Sequence, residues 1–162
     1  IERNVVLKGP ISIGSGSVIC SGSYLDGPIS IGENCIIGPN SYIGNSVSIG
    51  NNTRIGAFSE IKDSIIMSDS VIGSYNSLVG TVVGNGTEFG TNVVANPSNR
   101  KVTYLDHTIS LSERGAMVGN RCVIGNRAVL AGGSILLEGA TIGEGEVYNA
   151  DFQGDTLSLI HI

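Results

Sequence analysis

From Leu7 to Ile61 a large aliphatic side chain recurs at every sixth residue without a slip: Leu7, Ile13, Ile19, Leu25, Ile31, Ile37, Ile43, Ile49, Ile55 and Ile61. Helices repeat at 3.6 residues and strands at two, so a beat of six belongs to neither alone. Six of these aliphatics are followed by glycine, Gly14, Gly32, Gly38, Gly44, Gly50 and Gly56, and each interior glycine costs a helix about 1 kcal/mol against alanine. Two residues earlier the chain carries Val5, Ile11, Ser17, Ser23, Ile29, Cys35, Ser41, Val47, Thr53 and Ser59, all small or β-branched. The repeating unit is therefore a short strand and a corner, with one aliphatic pointing inward. Three units make a triangular coil of 18 residues, and residues 18 apart stack at the strand spacing of about 4.8 Å. The expected columns are Leu7, Leu25, Ile43 and Ile61; Ile13, Ile31 and Ile49; and Ile19, Ile37 and Ile55. Asn34, Asn40, Asn52, Gly16 and Gly22 fall at corners that call for positive φ, which Asn and Gly tolerate best. One unit cannot bury its own apolar face, so each coil must cap the next.

The beat loosens after Ile61, passing through Ile66, Ile72, Val79, Val83 and Phe89 to Ala95, and returns at Val118, Ile124, Leu130, Leu136 and Ile142. The expected organisation is all-β: coils over 1–96, an extruded loop over 97–115, coils again over 116–150 and a tail over 151–162. Long loops in compact domains are more often functional than not. The tail holds a short alternating run, Leu157, Leu159 and Ile160. The chain starts at Ile1 without a methionine, and reads as the carboxy-terminal part of a longer protein.

Composition excludes several classes. Only 14% of the 162 residues are charged and 24 are glycine, which fits neither a disordered chain nor a coiled coil. No window supplies the roughly 18 apolar residues of a spanning helix. A net charge of −5 argues against nucleic acid or an anionic membrane as partner. Cys20, Cys35 and Cys122 are odd in number and lack a Cys-x-x-Cys spacing. No disulfide framework or metal site is expected, and the cysteines read as small packed residues in a cytoplasmic protein. The glycine pairs Gly14 and Gly16, Gly84 and Gly86, and Gly143 and Gly145 are repeat corners without a phosphate-loop lysine.

The hexapeptide beat resembles the left-handed parallel β-helix family of acyltransferases and their relatives, which implies the left hand. A narrower resemblance lies in Ser59-Glu60-Ile61-Lys62-Asp63-Ser64-Ile65-Ile66-Met67, in Val79-Gly80 and in Phe89-Gly90-Thr91-Asn92-Val93-Val94-Ala95-Asn96. These segments are similar to the carboxy-terminal domain of sugar-1-phosphate nucleotidylyltransferases and acetyltransferases, in particular the glucose-1-phosphate thymidylyltransferase-like branch. That resemblance implies a preceding Rossmann-like domain that makes the nucleotide sugar with magnesium. It also implies a β-helix that carries acetyl transfer from acetyl-coenzyme A or assembles homotrimers.

Residue by residue, the resemblance places Lys62 where the family contacts the sugar phosphate and Asn96 near its acetyl site. The family's catalytic His aligns with Tyr75, its Tyr with Leu78, its phosphate-binding Arg with Gly44 and an Asn with Glu88. A phenol of pKa about 10 is a poorer base at neutral pH than an imidazole near 6.5. Tyr75 and His107 are the two candidate catalytic residues, His107 because it sits in the long loop with Arg100, Lys101 and Arg114. Those three cations are candidate contacts for the phosphates of coenzyme A or a sugar nucleotide. Arg121 and Arg127 read as solubilising surface residues, and Lys8 with Asp26 as an exposed ladder pair worth little. Two histidines are too few for the three-His zinc centre of β-helical carbonic anhydrases. The expected function is nucleotide-sugar synthesis by the parent protein, with this domain assembling the trimer. The alternative is an acetyl-coenzyme A-dependent sugar acyltransferase.

Overall fold

The computed structural model describes the backbone of residues 1–104 and 107–149, with their side chains except those of 100–104, 107, 109 and 111–113. The described residues form a left-handed β-helix of about seven turns whose three faces are parallel sheets of eight, seven and seven strands. The first face begins with Val6–Lys8, the second with Ile11–Ile13 and the third with Val18–Ile19. None of the described residues lies in a helix long and apolar enough to cross a membrane.

The expected columns are present in register. Leu7 pairs with Leu25, Leu25 with Ile43 and Ile43 with Ile61 on the first face. Ile13, Ile31 and Ile49 line up on the second, and Ile19, Ile37 and Ile55 on the third. From Ile19 onward these side chains are almost wholly buried, whereas Leu7, on the first rung, has nothing above it and stays 45% exposed. One expectation is corrected: Leu78, not Val79, continues the first column, since Ile61 pairs with Leu78 and Leu78 is fully buried. The two coils from Ile49 to Ile66 and from Ile66 to Val83 are 17 residues long, so the beat slips by one at Ile66 and again at Val83. Segment 97–115, expected as a loop, contains an antiparallel hairpin of Ser98–Tyr104 and His107–Arg114, paired from Ser98 and Arg114 at its base to Tyr104 and His107.

The small residues two before each aliphatic have a common purpose. Ser23, Ser41 and Ser59 are buried and donate their hydroxyls to the carbonyls of Gly38, Gly56 and Gly73 on the next coil. Thr81 and Thr87 repeat this toward Ala95 and Gly119. A buried hydroxyl without a partner would cost about 1–3 kcal/mol; these bond one coil to the next instead. Where the hydroxyl gives way to an amide, Asn76 donates to the carbonyls of Gly73 and Gly90 and accepts the Val93 N–H at 2.6 Å. The glycines after the aliphatics are set by close approach rather than by bending. A Cβ on Gly56 would lie 2.5 Å from the backbone of Gly73 and Ser74 in the next coil.

Candidate functional site

The outward side chains of the first face converge on Lys62. Its strand, Glu60–Lys62, pairs on one side with Tyr42–Gly44 and on the other with Ser77–Val79. That register sets Tyr42, Glu60 and Ser77 on neighbouring rungs. The Lys62 ammonium lies 5.3 Å from the centroid of the Tyr42 ring and is ion-paired with Glu60 of its own strand. The Glu60 hydrogen bond, aided by its charge, pushes the Lys62 ammonium above the ordinary lysine value of 10.5 against a smaller opposing effect of burial. Tyr42 is in turn stacked on Tyr24, with centroids 5.7 Å apart. Gly44 makes room for this arrangement: a Cβ there would fall 2.7 Å from the Tyr42 hydroxyl. The space beside Gly44 is therefore filled from the side by the Tyr42 ring.

Ser77 links this cation to Asn96. Its hydroxyl stands 3.3 Å from Glu60 Oε2 and 3.0 Å from Asn96 Oδ1. One hydroxyl carries one proton, so it serves one of these acceptors at a time. Lys62, Glu60, Ser77 and Asn96 thus form a continuous polar strip across three coils, with cation, carboxylate, hydroxyl and amide in sequence. Such a set can hold a hydroxylated or phosphorylated ring by exchanging its internal hydrogen bonds for ligand ones.

The other expected residues lie apart from this strip. Leu78 is sealed in the core, and Glu88 is outward on the third face, paired with Val71 and Val123. Tyr75 sits at the edge where the third face turns into the first, at φ +61°, its ring stacked on that of Phe58 with centroids 5.2 Å apart and only 5° between planes. Arg114 closes the base of the hairpin and is exposed. The backbone of His107 lies at the far end of the hairpin, whereas the side chains of Arg100, Lys101 and His107 lie outside the described residues. Arg121 is ion-paired with Glu138, and Lys8 with Asp26 at 3.2 Å. Among the described residues no group of three or more His, Cys, Asp or Glu side chains is placed to hold a metal. Tyr24, Tyr42, Glu60 and Ser77 were not singled out in the sequence; their shared signal is the outward position of successive rungs of one face, at offsets of 18, 18 and 17 residues.

A family model described as "GMPPB C-terminal domain" matches residues 25–113, and one described as "Hexapeptide repeat of succinyl-transferase" matches residues 1–26. No curated protein matches the sequence. Among solved structures, the acetyltransferase domain of PglB from Neisseria gonorrhoeae FA1090 in complex with acetyl coenzyme A is 12% identical, with 89% of this chain and 53% of that chain covered and a TM-score of 0.53. AntD, an N-acyltransferase from Bacillus cereus, solved with dTDP-4-amino-4,6-dideoxyglucose and coenzyme A, is 15% identical, with 88% and 75% covered and a TM-score of 0.54. UDP-N-acetylglucosamine acyltransferase from Arabidopsis is 16% identical, with 90% and 58% covered and a TM-score of 0.53. At these identities the likeness establishes the fold alone. The chain spans about half the length of the PglB domain.

Proposed function

The chain belongs to the family of GMPPB C-terminal domains, and from that premise we propose that it is the carboxy-terminal β-helix of a sugar-1-phosphate nucleotidylyltransferase-like protein in which it assembles three copies side by side. The family match over residues 25–113 carries this reading. The surface supports it. On the second face Ile65, Val82, Met117 and Ile135 stack outward in register, and Ile65, Met117 and Ile135 are each about half exposed. A continuous apolar ladder of this kind favours burial against another chain. Nucleotidyl transfer and its magnesium would belong to a preceding domain. Light scattering on the purified chain tests assembly: a mass near three times 16.7 kDa is expected, and a monomer at all concentrations would refute it.

A second reading, acyl transfer to a sugar from acetyl-coenzyme A, is favoured by the acyltransferase structures that share the fold. The described side chains fit it poorly. Tyr75, which the resemblance aligns with the family's imidazole, is a phenol stacked on Phe58, and Lys62 is neutralised by Glu60. In this reading Lys62 would contact the sugar phosphate, Asn96 would lie near the acetyl group, Arg100, Lys101 and Arg114 would hold the phosphates of the donor, and His107 would act as base. Acetyl transfer to glucosamine-1-phosphate should be undetectable. Activity that falls at least a hundredfold in His107→Ala, with the native mass unchanged, would establish this second reading instead.

A further inference from the structure

Along the edge between the third and first faces, five successive rungs place a non-glycine residue in the left-handed region: Asn40, Phe58, Tyr75, Asn92 and Arg127, with φ between +54° and +61°. Successive rungs are tied by backbone hydrogen bonds, from Tyr75 N to Ala57 O, Asn92 N to Ser74 O and Arg127 N to Thr91 O. Asparagine is suited to this conformation; phenylalanine, tyrosine and arginine are not, and each bulky residue there costs about 1–2 kcal/mol. Phe58 and Tyr75 nevertheless occupy consecutive rungs, and both are more than half exposed at 51% and 58%. Folding gains little from such placement, and strain of this sort points to use.

Phe58 covers one face of Tyr75, with the planes nearly parallel, and Tyr75 is still 58% exposed; the next rung on its other side is that of Asn92. The following rung belongs to Arg127, two strand spacings from Tyr75, or about 9.6 Å. A flat ring lying about 3.5 Å from a neighbour on each side needs about 7 Å. Asn92, with its short side chain, occupies the rung between them, and an amide can offer a donor and an acceptor to the edge of a heterocycle. A guanidinium on the far side stacks on electron-rich rings and pairs with phosphate.

We propose that this edge is a nucleobase site, in which a purine nucleotide inserts its base between Tyr75 and Arg127 over Asn92. A purine suits the slot better than a pyrimidine because its larger face covers more of the tyrosine ring. The site is independent of the strip around Lys62 and holds whether or not the domain transfers acyl groups.

Calorimetric titration of the full chain with ADP, GDP, thymidine diphosphate and ribose-5-phosphate tests the proposal. Saturable binding of a purine nucleotide, at least tenfold tighter than thymidine diphosphate and absent for ribose-5-phosphate, is expected. Tyr75→Asn restores a residue that this edge already uses, so it should fold at least as stably as the parent while losing roughly tenfold or more in affinity. Asn92→Leu should fill the slot with a comparable loss. Coenzyme A added in competition separates two sources: displacement of ADP assigns the site to the adenine of a larger coenzyme, and failure to displace assigns it to free nucleotide. Absence of purine binding, or binding unchanged in both variants, would overturn the proposal.

Discussion

The Lys62 ammonium rests over the face of Tyr42, 5.3 Å from the ring centroid, while Glu60 of the same strand neutralises it. A phosphate arriving here must displace a carboxylate that already holds the cation. Glu60→Gln should therefore raise affinity for glucosamine-1-phosphate about two- to fivefold, the worth of a partly exposed ion pair. Lys62→Ala should abolish that binding, as read by calorimetry. Because the Lys62 pKa is raised in the folded chain, the stabilisation from this pair is fully present below the ordinary lysine value of 10.5 and is lost as pH rises through the higher folded value. Thermal unfolding of the parent and of Lys62→Met should differ at pH 7 and converge above that range.

Ile37 is fully buried in the third column, between Ile19 and Ile55. Ile37→Asp sets an unpaired charge there at a cost of several kcal/mol. The midpoint of thermal unfolding should fall by about 10 °C or more. An unchanged midpoint would contradict the inward assignment.

Asn76 satisfies three backbone groups in the core, the carbonyls of Gly73 and Gly90 and the Val93 N–H. Asn76→Ala leaves the Gly90 carbonyl and the Val93 N–H unpaired, while the Gly73 carbonyl keeps the Ser59 hydroxyl, and should cost about 2–4 kcal/mol in denaturant unfolding. Ser48→Ala, on an exposed rung of the second face, should change stability by less than about 0.5 kcal/mol.

Met117 lies in the middle of the apolar ladder of the second face and is 52% exposed in the isolated chain. If that ladder is covered by another copy, Met117→Glu buries an unpaired carboxylate at the contact. Light scattering should then show a shift toward monomer with the circular dichroism of the fold retained. A trimer that persists at low concentration would place the contact elsewhere.

Much of the core was legible because inward residues repeat at a fixed interval, and the buried side chains of the first three coils follow directly from it. Leu78 escaped because Val79 beside it is equally apolar, and only pairing with Ile61 decides between them. The hairpin escaped for a related reason: its strands lie off the prism and carry no six-residue beat. Lys62 and Asn96 were suggested by resemblance, but their connection was not readable. It runs through Glu60 and Ser77, whose adjacency depends on a coil of 17 residues rather than 18. The aromatic edge is partly visible in hindsight, since Phe58 and Tyr75 stand where Asn40 and Asn92 stand one rung away.

Every departure from the six-residue step occurs at one edge of the prism. From first face to second, the step between inward residues is six at Ile43 to Ile49, five at Ile61 to Ile66 and at Leu78 to Val83, and 23 at Ala95 to Val118, where the hairpin is inserted. At the other two edges it is six throughout, as from Ile66 to Ile72 and from Ile72 to Leu78. Two edges thus act as fixed rulers that keep the three columns in phase, while the third absorbs deletions and insertions without disturbing them. A foreign peptide grafted at Asn45 and Ser46, on that same permissive edge, should leave the columns above and below intact, whereas the same graft at Asn52 or Asn40 would put every later coil out of step.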